Sequence, residues 1–251
     1  VERDRVGGSC PIRGCIPTKA LVRSAEIAHE ARRAAEFGIK VGEVEVDFAA
    51  VMDRVRVIID KGATATRAWL EGLEGADLFE GLGTFDGPNE VRVNGHLLTA
   101  PHIVIATGAV PGRPQIPGLA DTPHLTSDDL LQLTELPRRL LVVGAGPIAL
   151  ELGQAFRRLG AAVTMVEVQP RLLPGVEPEF SDRLGEYLSA EGLHINVGVA
   201  IERREQSHRT LTDSVGGGTL RSGHAKDLRQ LIAHSQPSCT WASSTFSRSS
   251  R

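Results

Sequence analysis

Hydrophobic residues recur along this chain with two different periods, and the period assigns most of the elements. After Pro17, the segment TKALVRSAEIAHEARRAAEFGI sets Leu21, Ala25, Ala28 and Ala31 at three- and four-residue spacing, with polar residues between them. That spacing predicts an amphipathic helix. Pro17 suits its first turn and Gly38 its end. A second helix is predicted from about Phe48 to Leu73. The pattern then shortens to strand lengths in DLFEGLGTF, EVRVNGHLLT and HIVIATG, and Asn94-Gly95 between alternating runs predicts a hairpin.

The clearest stretch is LPRRLLVVGAGPIALELGQAFRRLGAAVTMVEVQP. Leu140 to Val143 reads as a buried strand, a glycine turn follows, and a helix runs from about Pro147 to Leu159. A second strand runs from Ala162 to Glu167, which completes a βαβ unit. Residues 178–191 read as one more helix and LHINVGVAIER as one more strand. From about Arg203 the apolar period fades, the chain turns rich in Ser, Arg and Gly, and it ends in a serine-arginine tract. Most of this tail is expected to be disordered, with a short helix around Ala225 to His234 as its one candidate element.

Composition narrows the class. The 251 residues, 41% of them hydrophobic, suffice for one large domain or two small ones. A net charge of −3 gives no electrostatic footprint for nucleic acid or an anionic membrane. No apolar run reaches the roughly 18 residues of a membrane span, and no basic segment followed by an apolar stretch opens the chain. Three cysteines do not make a disulfide scaffold. A cytoplasmic setting is therefore expected, where a close cysteine pair is more often catalytic or metal-binding than structural. The chain opens VERDRVGG without a methionine and is expected to be a fragment.

Gly144-Ala145-Gly146-Pro147-Ile148-Ala149 follows a strand and opens a helix. Gly144 permits the tight turn, Gly146 lets the backbone approach a pyrophosphate, and Ala149 is small enough for the helix to pack on the sheet. The helix N-terminus offers unpaired N–H groups and partial positive charge to the phosphates. Glu167 lies about 20 residues on, at the end of the second strand, where a carboxylate accepts ribose hydroxyls and repels a 2′-phosphate. The motif therefore predicts NAD(H) in preference to NADP(H).

Cys10 and Cys15 stand five positions apart in GGSCPIRGCIPTK. In a straight helix that spacing is a rise of about 7.5 Å, beyond the Cα separation of at most about 7 Å that a disulfide tolerates. Pro11 and Gly14 disfavour a regular helix there, and a distorted first turn would bring the two together. Cys15 would then sit at a helix N-terminus, where the dipole lowers a thiol pKa, with Lys19 adding positive charge. These features favour a reversible dithiol over a structural disulfide. A zinc site would need two more ligands at suitable spacing; His29 is isolated and Cys239 lies in the irregular tail.

On these residues the chain resembles the class I pyridine nucleotide–disulfide oxidoreductases, which include dihydrolipoamide dehydrogenase, glutathione reductase and mercuric reductase. GGSCPIRGCIPTK resembles their redox signature, IVIATGAVPGRPQIPG the close of their FAD domain, VVGAGPIALELGQAF their NAD(P)-binding turn, and VERDRVGGSC, with Gly7 and Gly8, the join into the redox helix. The likeness extends to about residue 202. It implies an α/β fold: a Rossmann-like FAD-binding domain, truncated at its N-terminal side, over 1–121; a partial Rossmann NAD(P)-binding domain over 122–202; and an irregular tail over 203–251. It also implies that Glu2 holds the adenosine ribose of FAD, that Thr107 and Gly108 form a turn near FAD, and that Lys19 lies near the flavin ring and pairs with Glu151. Cys15 would face the flavin and Cys10 would meet the substrate. Electrons would then pass between NAD(P)H, FAD and the Cys10–Cys15 disulfide.

The sequence also departs from that family. No glycine fingerprint for FAD precedes Glu2, and neither the later Gly-Asp strand nor the interface domain that builds the homodimer and supplies a His-Glu base is recognisable. His208, His224 and His234 lack that base's context. Pro147 stands where glutathione reductase has a tyrosine gate, and PIRG between the cysteines is nearer mercuric reductase-like members. The expectation is a truncated or frame-disrupted member acting on a small disulfide, dithiol or metal-ion substrate. The competing expectation is a non-catalytic dinucleotide-binding remnant.

Overall fold

Two glycines in the left-handed region, Gly7 at φ 137° and Gly8 at φ 76°, lead the chain into its first helix. The computed structural model describes residues 1–206, 210–215, 218–224 and 228–232. Helix α1 (Ser9–Arg13) is a little over one turn, and α2 (Cys15–Arg33) follows after Gly14. A Cβ on Gly14 would meet the Ser9 carbonyl oxygen at 3.3 Å and the Cys10 Cα at 3.4 Å. A residue without a side chain is what lets the chain step from one helix into the next here.

Helix α2 runs into a 3-10 turn, Ala34–Phe37, and Gly38 at φ 76° closes it as the sequence predicts. Helix α3 (Phe48–Glu71) starts at Asp47, whose carboxylate accepts the Ala50 N–H at 3.0 Å. The apolar stripes of both helices turn inward: Leu21 and Ala25 on α2, Met52, Val55 and Ile59 on α3.

Strands β1 (Thr84–Gly87), β2 (Glu90–Val93) and β3 (His96–Thr99) form an antiparallel meander. Asn94 at φ 46° and Gly95 at φ 83° make its tight hairpin, the conformation that an Asn-Gly pair accommodates. The strand expected in HIVIATG does not form. Among the described residues nothing pairs with 102–108, and Val104 is 88% exposed and Ile105 60%. An apolar run becomes a strand only where a neighbour takes its backbone hydrogen bonds, and here none does.

The main sheet begins with β4 (Leu125–Thr126), followed by α4 (Ser127–Leu130), which a Thr126–Asp129 capping box starts. Then come β5 (Arg139–Val143), α5 (Pro147–Leu159), β6 (Ala162–Glu167), α6 (Pro178–Ala190) and β7 (His194–Val197). The expected strand across 193–203 is two, β7 and β8 (Ile201–Gln206), parted around Gly198 at φ 68°. Strands β9 (Thr210–Val215), β10 (Gly218–His224) and β11 (Leu228–Ile232) follow.

This corrects the expectation of an irregular tail from 203. Strands β8, β9 and β10 pair antiparallel in that order, and β11 inserts parallel between β4 and β5. A local meander closes on its own backbone ladder without needing an apolar period, so the fading pattern gave no sign of it. The helix expected around Ala225 to His234 is strand over Leu228–Ile232; its remaining residues, and 235–251 with Cys239, lie outside the described residues.

The parallel sheet has the order β4-β11-β5-β6-β7. Leu140 pairs with Val163, Val142 with Met165, and Met165 with Ile195. One hydrophobic cluster joins Leu21, Phe48, Met52 and Val55 to Leu140, Phe156, Val163 and Met165, so residues on both sides of position 121 share a core. The Phe48 and Phe156 rings lie 5.9 Å apart, tilted by 48°. Helix α5 is thus held between the sheet and the pair α2–α3.

Candidate functional site

The glycine turn stands between β5 and α5. Gly144 adopts φ 105° and donates its N–H to the Val166 carbonyl at 2.8 Å, which ties the turn to β6. Gly146 is the residue before the helix and Pro147 its first, so the helix starts where a missing N–H costs nothing. Ala149 is fully buried, and a Cβ on Gly153 would touch the Met165 methyl at 3.4 Å. Small residues at both positions let α5 lie close on the sheet. This geometry fits a dinucleotide: a tight turn, a close-packed helix and free N–H groups at its N-terminus.

Glu167 ends β6 and is 6% exposed. Its Oε2 accepts the Ala145 N–H at 2.7 Å and its Oε1 the Gln169 N–H at 2.8 Å. A buried carboxylate therefore sits beside the glycine turn, as the sequence places it, and two of its lone-pair sites are already used by the backbone.

Cys10 lies in α1 and Cys15 is the first residue of α2. Both are free and exposed. The break at Gly14 brings them together closely enough for the Cys10 side chain to hydrogen-bond Cys15. That bond pushes the Cys15 thiol above a cysteine's ordinary value; desolvation and the charge of Cys10 push the same way. A backbone hydrogen bond and Lys19 pull down but are outweighed. The expectation of a lowered Cys15 pKa is overturned, because the second thiol competes with the helix end for the same sulfur. Among the described residues, no three His, Cys, Asp or Glu side chains cluster as metal ligands would.

Lys19 stands one turn after Cys15 on α2, and Glu151 one turn after Pro147 on α5. Lys19 Nζ donates to Glu151 Oε1 at 2.5 Å. The first turns of α2 and α5, one carrying a thiol and the other the glycine turn, are thereby fastened to each other.

The residues expected around a flavin are brought only partly together. Glu2 makes a parallel bridge with Glu80, and its Oε1 accepts the Asp4 N–H at 3.0 Å. Gly7 approaches the side chain of Ile12, where a Cβ would meet Cδ1 at 3.1 Å; Gly8 faces open space. Thr107 is exposed, and Gly108 at φ 74° lies against Ser9, whose Oγ would be 3.4 Å from a Cβ. The Thr107-Gly108 turn and the start of α1 thus meet across nearly a hundred residues of chain.

Sequence reasoning missed Arg13 and Leu173. Arg13, between the cysteines, bonds Asp4 and lies 3.9 Å from Asp128 of α4. Leu173, at φ 42°, donates its N–H to the Ala145 carbonyl at 3.2 Å. Neither has a motif, since each acts through a distant partner.

Fold and site define an α/β chain that sets a glycine turn at one helix N-terminus and an exposed dithiol at the start of another. The chain belongs to the family described as pyridine nucleotide-disulphide oxidoreductase, whose profile it matches over residues 1–226. It is 37% identical over 206 residues to a mercuric reductase of Bacillus cereus, covering 82% of this chain and 33% of that protein. It is 35% identical over 227 residues to a dihydrolipoyl dehydrogenase of Thermus scotoductus, covering 87% of this chain and 48% of the relative. Among solved structures it resembles the Cu(II) complex of RclA, the HOCl-induced flavoprotein disulfide reductase of Escherichia coli. The TM-score is 0.79 at 26% identity, over 95% of this chain and 51% of that one. The chain therefore spans a third to a half of the length of these proteins. No helix among the described residues is long and apolar enough to cross a membrane.

Proposed function

We propose that this chain works in a flavin-dependent disulfide oxidoreductase in which Cys10 and Cys15 are the redox pair. The observation that carries this reading is the placement of two free, exposed thiols on either side of the tight Gly14 break, with Cys15 opening α2. In the reducing direction, the Cys10 thiolate attacks a substrate disulfide and displaces one substrate thiolate, which takes up a proton. Cys15, once deprotonated, attacks the Cys10 sulfur of the mixed disulfide. The second substrate thiol leaves and a Cys10–Cys15 disulfide remains, so two electrons have passed from protein to substrate. The reverse sequence oxidises a dithiol, and a thiol-seeking metal ion is the alternative substrate class, as the names of the relatives indicate.

Bound FAD would supply two-electron exchange between a nicotinamide nucleotide and this dithiol. Gly7, Gly8, Thr107, Gly108 and Glu2 are the residues offered to it, and Lys19 with Glu151 ties the thiol helix to the nucleotide helix. Gly144, Gly146 and Ala149 form the nicotinamide-nucleotide seat, with Glu167 favouring NAD(H). The acting protein is a homodimer, as is usual for the family.

The test uses the full chain. Mild oxidation should join Cys10 to Cys15, detected by peptide mapping, and anaerobic NADH with added FAD should return both thiols. A disulfide that NADH and bound FAD leave intact favours the non-catalytic nucleotide-binding alternative. Failure of the two cysteines to join sinks the redox reading.

A further inference from the structure

Glu167 has a second part to play, and it concerns the turn more than the ribose. A ribose contact alone would not require the protein's own backbone to engage both carboxylate oxygens. Here each oxygen accepts one backbone N–H: Ala145 at 2.7 Å and Gln169 at 2.8 Å. Ala145 is the middle residue of the glycine turn and is fully buried. Its N–H goes to Glu167 and its carbonyl accepts from Leu173 at 3.2 Å. Both backbone polar groups of the turn's central residue, and so the peptide planes on either side of it, are therefore held by the segment from the end of β6 to Leu173. That segment is anchored further: Gly198 donates to the Gln169 carbonyl at 2.8 Å, Val199 to the Glu167 carbonyl at 3.0 Å, and Ser181 Oγ to the Leu172 carbonyl at 2.7 Å.

We infer that Glu167 is a positioning residue which holds the Gly144–Gly146 turn in its nucleotide-ready shape before any nucleotide arrives. The inference rests on reading this turn as the dinucleotide seat. The argument is one of donors. Pro147 has no N–H and the Ala145 N–H is taken. The donors left to a pyrophosphate at this end of α5 are those of Gly146, Ile148 and Ala149. Their direction depends on how the backbone on either side of Ala145 is fixed; Glu167 holds the Gly144–Ala145 peptide plane from a buried position where a charge-assisted bond is strong, and Leu173 holds the next. Glutamine cannot replace it, because its amide offers one oxygen and one NH2 where two N–H donors point inward. Aspartate is one methylene short of spanning both.

The experiment is a chemical cycle on the full chain. NAD+ and its analogue lacking the adenosine 2′-hydroxyl are each titrated by calorimetry into wild type and Glu167→Gln. Amide exchange of Ala145 is followed in the nucleotide-free protein. The expected result is a loss of about tenfold for both ligands, which is about 1.4 kcal/mol each. Ala145 exchange should speed up at least tenfold, while amides in the middle of α5 and β5 keep their protection. A loss confined to the ligand that carries the 2′-hydroxyl, or an Ala145 amide that already exchanges fast in wild type, overturns the inference and leaves Glu167 a ribose contact. If wild type binds neither ligand, the dinucleotide reading fails, and the amide measurement still decides whether Glu167 holds the turn. Should Glu167→Gln fail to fold, Glu167→Asp serves in its place, with the same expectations.

Discussion

Phe156 is the position at which the joint between the two halves of the core can be weighed. It is fully buried on α5, faces Phe48 of α3 at 5.9 Å, and belongs to the one cluster that also holds Leu21, Met52 and Met165. Truncating it to alanine removes about 150 Å2 of buried apolar surface, which at about 25 cal/mol per Å2 is about 4 kcal/mol. The lost ring–ring contact adds about 1 kcal/mol. That is a large part of the roughly 5–15 kcal/mol that stabilises a typical domain, so Phe156→Ala should unfold at much lower urea, followed by far-UV circular dichroism. Phe156→Leu keeps most of the apolar volume and should cost about 1.5 kcal/mol. Phe48→Ala completes a double-mutant cycle with an expected coupling of about 1 kcal/mol. A Phe156→Ala loss below about 1 kcal/mol, or no coupling with Phe48, would refute the claim that α5 is clamped between the sheet and the α2–α3 pair.

Three other outcomes follow from the same contacts. Since Cys10 holds the Cys15 thiol up, Cys10→Ala should move the pH midpoint of Cys15 alkylation down, and Lys19→Met should move it up; a midpoint unmoved by either contradicts the geometry of the pair. Burial works to raise the Glu191 carboxyl, but Arg158, bonded to both its oxygens at 2.7 Å, holds it below the usual carboxylate range. A lowered folded-state pKa gives stability that is present above that range and lost as acid protonates the group, so Arg158→Met should flatten the acid limb of a stability–pH curve. Gly95 at φ 83° should tolerate alanine poorly, with Gly95→Ala costing about 1 kcal/mol in thermal unfolding.

The parts of the fold that the sequence made legible are those whose signal is local. The β5–α5–β6 unit announced itself because a buried strand, a glycine turn and a 3.6-residue period fall within thirty residues. Asn94-Gly95 did the same for its hairpin, since the turn's chemistry lies in two adjacent residues. The failures share one cause: pairing partners that the sequence does not name. HIVIATG has the composition of a central strand, but composition supplies no neighbour. Conversely, the polar stretch after Arg203 has little strand composition, yet β8 to β10 pair with one another and β11 has neighbours on both sides. The site divides in the same way. Where the glycine turn, the buried carboxylate beside it and the two cysteines lie was readable, whereas the upward push on the Cys15 thiol and the use of both Glu167 oxygens depended on contacts that spacing does not reveal.

One pair of helices brings the cysteine motif and the glycine turn near each other. Lys19 is four residues from Cys15 and Glu151 four residues from Pro147, so each charge sits one turn inside its helix. Their 2.5 Å contact then requires both helix N-termini to lie on the same side of the α2–α5 packing. Each N-terminus carries partial positive charge, and bringing two together is unfavourable unless something negative lies between or beside them. An anion at the start of α5 is what this arrangement favours, whereas at Cys15 the pull of the helix end and of Lys19 is outweighed by the neighbouring Cys10 thiol. The ion pair itself is exposed and stabilises little, about 0–1 kcal/mol. Its consequence is alignment, while the shared apolar core beneath it supplies the rigidity. Breaking the pair with Glu151→Gln should therefore leave the urea midpoint almost unchanged. Only a variant that disturbs the packing, such as Phe156→Ala, should loosen the thiol helix from the nucleotide helix.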